Sequence, residues 1–338
     1  MQIDNLKQLD SSLNIIRISN DDLKLEGISP ADYPVDKTIV LVRTQRFADK
    51  LEKSFSNNSE SILVAVEEKC FNALRNQEWF DKNIKNLCTV KSVDQSMCLW
   101  SEDFFKKKYD HLNYQVDGRQ MGTTEIDPSA QISQNVFIGE NVTIGKDVII
   151  MPGVVILPEV IIGDNCVINP NVTIYPYTQI GVNTRINAST TIGADGFGYN
   201  FIDGEHKKIW HFSGVKIGNN VEIGAGTNID AGAFTPTEIG DGTKIDNGCQ
   251  IAHNAKIGKH CILCGKAGIA GSVVLEDYVI FGGGAGAAPG AHLGKGVQMA
   301  AYAVASENSK WPAGTKLAGH PARPLSEWLR AQAKLKGL

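Results

Sequence analysis

Between Ile126 and Met299 an aliphatic residue returns every six positions, and that period leaves few folds open to the chain. The first run is unbroken, with twelve isoleucines from Ile126, Ile132 and Ile138 through Ile180, Ile186 and Ile192. A second run resumes at Ile217, Ile223 and Ile229, slips by four residues, and continues from Ile239, Ile245, Ile251 and Ile257 to Leu293 and Met299. Four positions after each stands a small or β-branched residue, such as Val136, Val142, Cys166, Thr227, Cys249, Ala255 or Val273. A helix repeats every ~3.6 residues and a strand every second one, so neither explains a period of six. A solenoid of short strands does. Three hexads make one triangular coil, the aliphatic residue turns inward on each flat side, and the small residue fills the corner. Gly, Asn and Asp crowd the turns, where positive φ is often needed. Stacked coils share one apolar column, so no single repeat is stable alone.

The rest of the chain is organised around that column. A length of 338 residues allows two domains. Residues 1–120 lack the period and form a small α/β domain, with strands expected at Leu13–Ile18, Thr38–Val42, Ser61–Val66 and Leu87–Val90. Helices are expected around Arg46–Ser54, Glu68–Trp79 and Ser101–Tyr109. The solenoid domain is expected over 121–305, and residues 306–338 form a C-terminal extension. In that extension the period fades after Met299, and a short helix begins at Ser326 as N-cap, with Lys334 and Lys336 near its end, where the helix dipole favours cations.

A formal charge of −4 with a pI near 6.0 argues against nucleic-acid binding, which needs a basic face. No stretch approaches a transmembrane span and the N-terminus lacks the pattern of a signal peptide, so the expected location is cytoplasmic. Seven cysteines at irregular spacing do not suggest a disulfide framework. Cys166, Cys249 and Cys261 read as small core residues, and Cys261 with Cys264 spells a C-x-x-C without its chemistry; no metal site is expected.

Two interruptions break the repeat, and in a solenoid such insertions usually leave the stack as functional loops. Either could be a plain surface bulge, but the first, Gly193 to Gly214, carries Asp195, Phe197, Tyr199 and His211 in a chain poor in aromatics and histidines, which favours a binding loop. The second adds four residues within Asp230–Glu238.

One block goes further: Ile192-Gly-Ala-Asp-Gly-Phe-Gly-Tyr199, Lys244-Ile-Asp-Asn247, Gln250-Ile-Ala-His-Asn254, Gly268-Ile-Ala-Gly-Ser272 and Pro321-Ala-Arg-Pro-Leu-Ser-Glu-Trp328. It closely resembles the UDP-3-O-acylglucosamine N-acyltransferases of lipid A biosynthesis, over roughly residues 100–330. The resemblance implies a left-handed parallel β-helix, against the usual right-handed crossover, assembled as a homotrimer. It implies an acyl carrier protein thioester as donor, a UDP-sugar as acceptor, an N-terminal domain that helps bind the uridine, and no cofactor.

An amine attacking a thioester must lose a proton, and a neutral histidine is tuned to take it near neutral pH. By resemblance that base is His253, at a polar corner two residues after Ile251. His260 suits the blander reading of an exposed corner histidine. The oxyanion needs a donor, commonly a backbone N–H, and the resemblance gives that part to Gly271. Gly271 follows His253 by eighteen residues, one full coil, which stacks the two positions. Substrate contacts are expected at Phe47, Asp195, Phe197, Tyr199, His211, Asp246, Asn247, Gln250 and His292, and Ala285, Gly286 and Ala287 could line an acyl groove.

The chain also departs from the family. Gly290 stands where a second histidine is usual, with His292 two residues on as a candidate substitute. Ile229-Asp-Ala-Gly232 lacks the family's arginine at Ala231. The uracil-stacking aromatic and its asparagine approximate to Leu41 and Thr44, with Phe47 where a tyrosine is common. Arg323, Lys310 and Arg330 are candidates to meet an acidic carrier protein. Two other readings compete: an N-acyltransferase acting on a nucleotide-linked amino-deoxysugar with an acyl-CoA donor for surface polysaccharide, and a non-enzymatic scaffold. The stacking of His253 and Gly271 counts against the scaffold.

Overall fold

The computed structural model describes residues 1–19, 23–55 and 60–335. Lys336, expected at the end of the last helix, lies outside them. Two compact units emerge: residues 1–111 together with 198–212, and residues 112–197 together with 213 onward. The division falls at residue 111 rather than 120. The middle of the first interruption belongs to the first unit, not to the solenoid.

In the second unit the hexads wind into three parallel faces whose strands are mostly two residues long. The first face starts at Glu125–Ile126, the second at Gln131–Ile132 and the third at Phe137–Ile138. On each face the strand one coil later pairs in parallel with its predecessor; Val155 pairs with Thr173, for example, and Ile156 with Ile174. A two-residue strand cannot persist alone. It is held because residues either side of each inward side chain donate to the next coil, as Val155 N does to Val172 O and Leu157 N to Ile174 O, both at 2.9 Å.

The inward positions are buried from Ile138 to Ala305, for example at Ile168, Ile223 and Ile251, and half-buried at Ile126, Ile132 and Trp311. Burying each such side chain contributes about 1.5–3 kcal/mol. At most corners the third residue after the inward one adopts a left-handed conformation, including Asn141 (φ 55°), Asn165 (φ 59°) and Asn254 (φ 59°). Asparagine tolerates that conformation better than most residues. Along most of the column the fourth residue is buried, and several of the threonines there donate across the corner. Thr190 Oγ1 gives its proton to Gly224 O at 2.8 Å, and Thr243 Oγ1 to Gly258 O at 2.8 Å. Cys166 and Cys261 do the same with Sγ, to Gly181 O and Glu276 O. Burial pushes both thiols up, which agrees with their reading as core residues.

The column does not fade after Met299. Strands Val304–Ala305, Lys310–Trp311 and Lys316–Ala318 carry it through Ala305, Trp311 and Leu317. Alanine and tryptophan in place of aliphatics hid the period, so the extension is shorter than 306–338. An antiparallel strand, Arg323–Pro324, then pairs with Lys316–Ala318 and covers that sheet end. The last helix spans Leu325–Leu335, which puts Ser326 inside its first turn and not at the N-cap.

The first unit holds a five-stranded sheet: β1 (Asn14–Arg17), β2 (Gly27–Ser29), β3 (Thr38–Val42), β4 (Leu63–Glu67) and β5 (Leu87–Val90). Their order is β1-β5-β4-β3-β2, parallel except for β1. Strands β3 and β4 are buried at every residue, as expected of parallel strands covered on both faces. The helix expected at Glu68–Trp79 is two helices, Glu68–Leu74 and Glu78–Asn83, because Gln77 is extended (φ −84°, ψ 118°) between them. The helix expected at Ser101–Tyr109 begins at Val93, where Ser92 caps it by accepting from Gln95 N. Strands Tyr199–Ile202 and Glu205–Lys208 form an antiparallel hairpin of this unit, held to that helix by Asn200 Nδ2 donating to Asp94 O at 3.0 Å. Among the described residues no helix is long and apolar enough to cross a membrane.

Neighbouring residues of one strand should therefore differ sharply in their effect on stability. Ile245 is buried and Lys244 exposed. Ile245→Ala is expected to lower unfolding free energy by about 2–5 kcal/mol, and Lys244→Ala by less than about 1 kcal/mol. Guanidinium unfolding of the two variants checks this, and equal effects would contradict the inward assignment.

Candidate active site

Three successive strands of the third face build the site: Asn228–Asp230, Gln250–Ile251 and Gly268–Ile269. They pair in register, Ile229 with Ile251 and Ile251 with Ile269. The chain leaves that face at a corner occupied in one coil by His253 and in the next by Gly271. The eighteen-residue coil thus sets the imidazole against the glycine. A Cβ built on Gly271 would lie 2.8 Å from both Nε2 and Cε1 of His253. Only a residue without a side chain lets the ring sit there. Around Gly271 the ladder bonds come from Ala270 N, to Ala287 O, and from Ser272 N, to His253 O.

His253 is half-buried, and its Nδ1 lies 3.1 Å from Asn254 Oδ1. Gln250 is exposed beside it and donates from Nε2 to Asp230 Oδ1 at 3.0 Å. Burial pushes the Asp230 carboxyl above its ordinary range; the Gln250 hydrogen bond and the charge of nearby His253 oppose that, while Asp195 adds to it. His253, Gly271, Gln250 and Asp195 are therefore gathered in one neighbourhood. Asp230 and Asn254 join them without having been singled out from sequence. The signal available for Asp230 was its place at the mouth of the second interruption.

Other candidates fall elsewhere. Asp246 and Asn247 sit at the opposite edge of the third face and serve the backbone of its corner. Asp246 accepts from Gly265 N at 2.9 Å and Asn247 N at 2.7 Å, and Asn247 Oδ1 accepts from Ala225 N at 2.6 Å. His292 does not share the face of His253: it points outward on the first face, paired with Val274 and Lys310. The turn at Gly290 (φ 68°) intervenes, so two residues further on means a new face. His292 Nε2 instead meets Glu276 Oε1 at 2.8 Å, and that contact holds the Glu276 carboxyl below its usual range. Gly290 itself follows Ser272 by one coil and has no side chain to offer.

Phe197 is 86% exposed. Within the first unit Tyr199 is exposed on the hairpin, whereas His211 is buried, with Gly198 packed against its ring. A buried ring is not a surface contact, so His211 reads as part of that unit's packing. Phe47, also in the first unit, is half-buried, with Arg43 and Lys50 lying 5.6 and 5.7 Å from its ring centre. His260 is exposed and stacks on Tyr278.

Beside His253 and Gly271 the third face is nearly bare of side chains. Gln250, Ala252, Gly268, Ala270, Gly286, Ala288 and Val304 line an apolar groove of about 370 Å³. Of the small residues expected there, Gly286 faces outward and Ala285 lies wholly in the core. From Gln250 to Val304 the groove crosses three strand spacings, roughly 14 Å. An imidazole, a backbone N–H and an apolar trough at one corner suit transfer of an acyl chain.

A bacterial transferase hexapeptide family (six repeats) matches residues 141–176 and 236–271. The chain is 45% identical over 146 residues to a UDP-3-O-acylglucosamine N-acyltransferase of Methylobacterium sp. (strain 4-46), a match covering 43% of this chain and 41% of that protein. It is 43% identical over 145 residues to a protein of the same name from Campylobacter curvus, covering 42% of this chain and 45% of the relative. The chain spans about two fifths of the length of these curated relatives. Among solved structures, a UDP-N-acetylglucosamine acyltransferase from Campylobacter jejuni is 28% identical, with a TM-score of 0.48 over 59% of this chain and 73% of that one.

The close fit of ring and glycine has a direct test. Gly271→Ala is expected to displace the His253 imidazole while leaving the coil intact, because the added methyl occupies the ring's place. A crystal structure of the variant with the ring unmoved would contradict the packing.

Proposed function

We propose that this chain is an N-acyltransferase of lipid A biosynthesis, moving a 3-hydroxyacyl chain from acyl carrier protein to the 2-amine of UDP-3-O-acylglucosamine. The observation that carries the reading is the His253 imidazole lying against Gly271 at the head of an apolar groove. The names of the relatives supply the substrate class.

The transfer is direct. The acceptor amine attacks the thioester carbonyl, and His253 takes the proton the nitrogen must lose. The carbonyl oxygen becomes an oxyanion, and Gly271 N–H is the donor placed to hold it. Collapse breaks the carbon–sulfur bond, and the departing thiolate receives the proton from the imidazolium. The chain being moved lies along Gly268 and Gly286, with Val304 at the far end. In the first unit Phe47, flanked by Arg43 and Lys50, is the candidate contact for the nucleotide. Arg323, Lys310 and Arg330 are exposed and suit an acidic carrier protein. A homotrimer in the cytoplasm completes the proposal.

The absence of a side chain at Gly290, with His292 on another face, favours keeping one second reading: an amino-deoxysugar acceptor with an acyl-CoA donor. The deciding experiment offers UDP-3-O-acylglucosamine to purified protein with 3-hydroxyacyl carrier protein and acyl-CoA separately. Turnover with the carrier protein alone is expected, and His253→Ala should lower kcat/KM by about 10²–10⁴-fold. No turnover with that acceptor would overturn the reading and point to the amino-deoxysugar. In the same assay Val304→Phe, which blocks the end of the groove, should shift preference toward shorter acyl chains. An unchanged chain preference would remove the groove from the mechanism.

A further inference from the structure

The second interruption of the solenoid has no part in the scheme above, yet it wraps the residue that touches the base. Asn254 N donates to Thr237 Oγ1 at 2.9 Å. Asn254 Nδ2 donates to Thr235 O at 2.7 Å and approaches Thr235 Oγ1 at 3.2 Å. Asn254 Oδ1 accepts from Ala233 N at 3.1 Å. Four contacts from Ala233, Thr235 and Thr237 thus grip one residue.

Those contacts settle which way the carboxamide faces. Thr235 O is a carbonyl and can only accept, so the atom facing it is the NH₂. Ala233 N can only donate, so the atom facing it is the oxygen. The same oxygen lies 3.1 Å from His253 Nδ1. An amide oxygen only accepts, so Nδ1 must carry the proton and Nε2 keeps its lone pair. Nε2 is the nitrogen set against Gly271. A free imidazole favours the other tautomer, with the proton on Nε2, and in that form the nitrogen beside Gly271 could not act as a base.

We propose that Asn254 is a positioning residue which fixes the reactive tautomer of His253, and that the Ala231–Thr237 loop is the clamp that fixes Asn254. The proposal rests on reading His253 as the base. The loop is then a built part of the site: it turns a corner asparagine, already suited to φ 59°, into an oriented acceptor.

The test is histidine-selective ¹⁵N NMR of the whole protein at a pH where the ring is neutral, with the His253 signals assigned by their loss in His253→Gln. Wild type is expected to show a pyrrole-like Nδ1 and a pyridine-like Nε2. Asn254→Gly accommodates the left-handed corner and removes the acceptor, so the Nε2–H tautomer should appear. Asn254→Asp restores an oxygen acceptor for Nδ1 but loses the donor to Thr235 O, and should return the wild-type pattern in part. In the N-acylation assay Asn254→Gly should lower kcat by about 10- to 100-fold with KM little changed, and Asn254→Asp should recover part of the loss. A wild-type Nε2–H tautomer, or an Asn254→Gly spectrum identical to wild type, would overturn the proposal. Failure of the acylation reading shows up separately, as His253→Gln retaining full activity whatever the spectra show.

Discussion

The ladder of backbone hydrogen bonds between coils is the constraint from which the rest of the second unit follows. Inward residues are flanked by N–H groups that donate to the next coil, eighteen residues on wherever no insertion intervenes, as Ala252 N does to Ile269 O at 2.8 Å. That pairing makes sequence distance and spatial direction the same thing: one coil along the chain is one strand spacing along the axis. A histidine and a glycine one coil apart therefore meet, and side chains missing at Gly268 and Gly286 leave one continuous trough. The chemistry of the corner is a consequence of register, not of a local fold built around it.

A solenoid can absorb extra residues only where they do not break the ladder, and this chain does so in two ways. The first interruption exits as a hairpin and packs in the first unit, while Ile192 and Ile229 still pair across the gap. The second stays at the corner. Its backbone and hydroxyls replace the bonds a shorter turn would make, with Ala233, Thr235 and Thr237 all engaged with Asn254. Larger excursions need a partner surface, and small ones can be tied down by neighbours. Sequence length alone distinguishes the two cases poorly, because both look like polar breaks in a period.

Much of this was legible in the sequence, and the reasons for the remainder are physical. The faces, the column and the meeting of His253 with Gly271 all follow from the period. The end of the column was not legible, since Ala305 and Trp311 fill the inward place without being large aliphatics. His292 was misplaced because the two-residue alternation of a strand was carried through a turn. Asp246 and Asn247 resembled ligand contacts, but their side-chain oxygens accept from corner N–H groups. Asn254 could not be given a role because its orientation depends on a loop whose path no periodicity describes. In the first unit β2 is only three residues long and carries no alternation to detect.

The most direct measurement of the account is a crystal structure with the N-acylated sugar nucleotide bound. The account predicts the new amide nitrogen within hydrogen-bond reach of His253 Nε2, its carbonyl oxygen facing Gly271 N, and the transferred chain lying over Gly268 and Gly286. An amide bound away from that corner, or an acyl chain on another face of the solenoid, would contradict it.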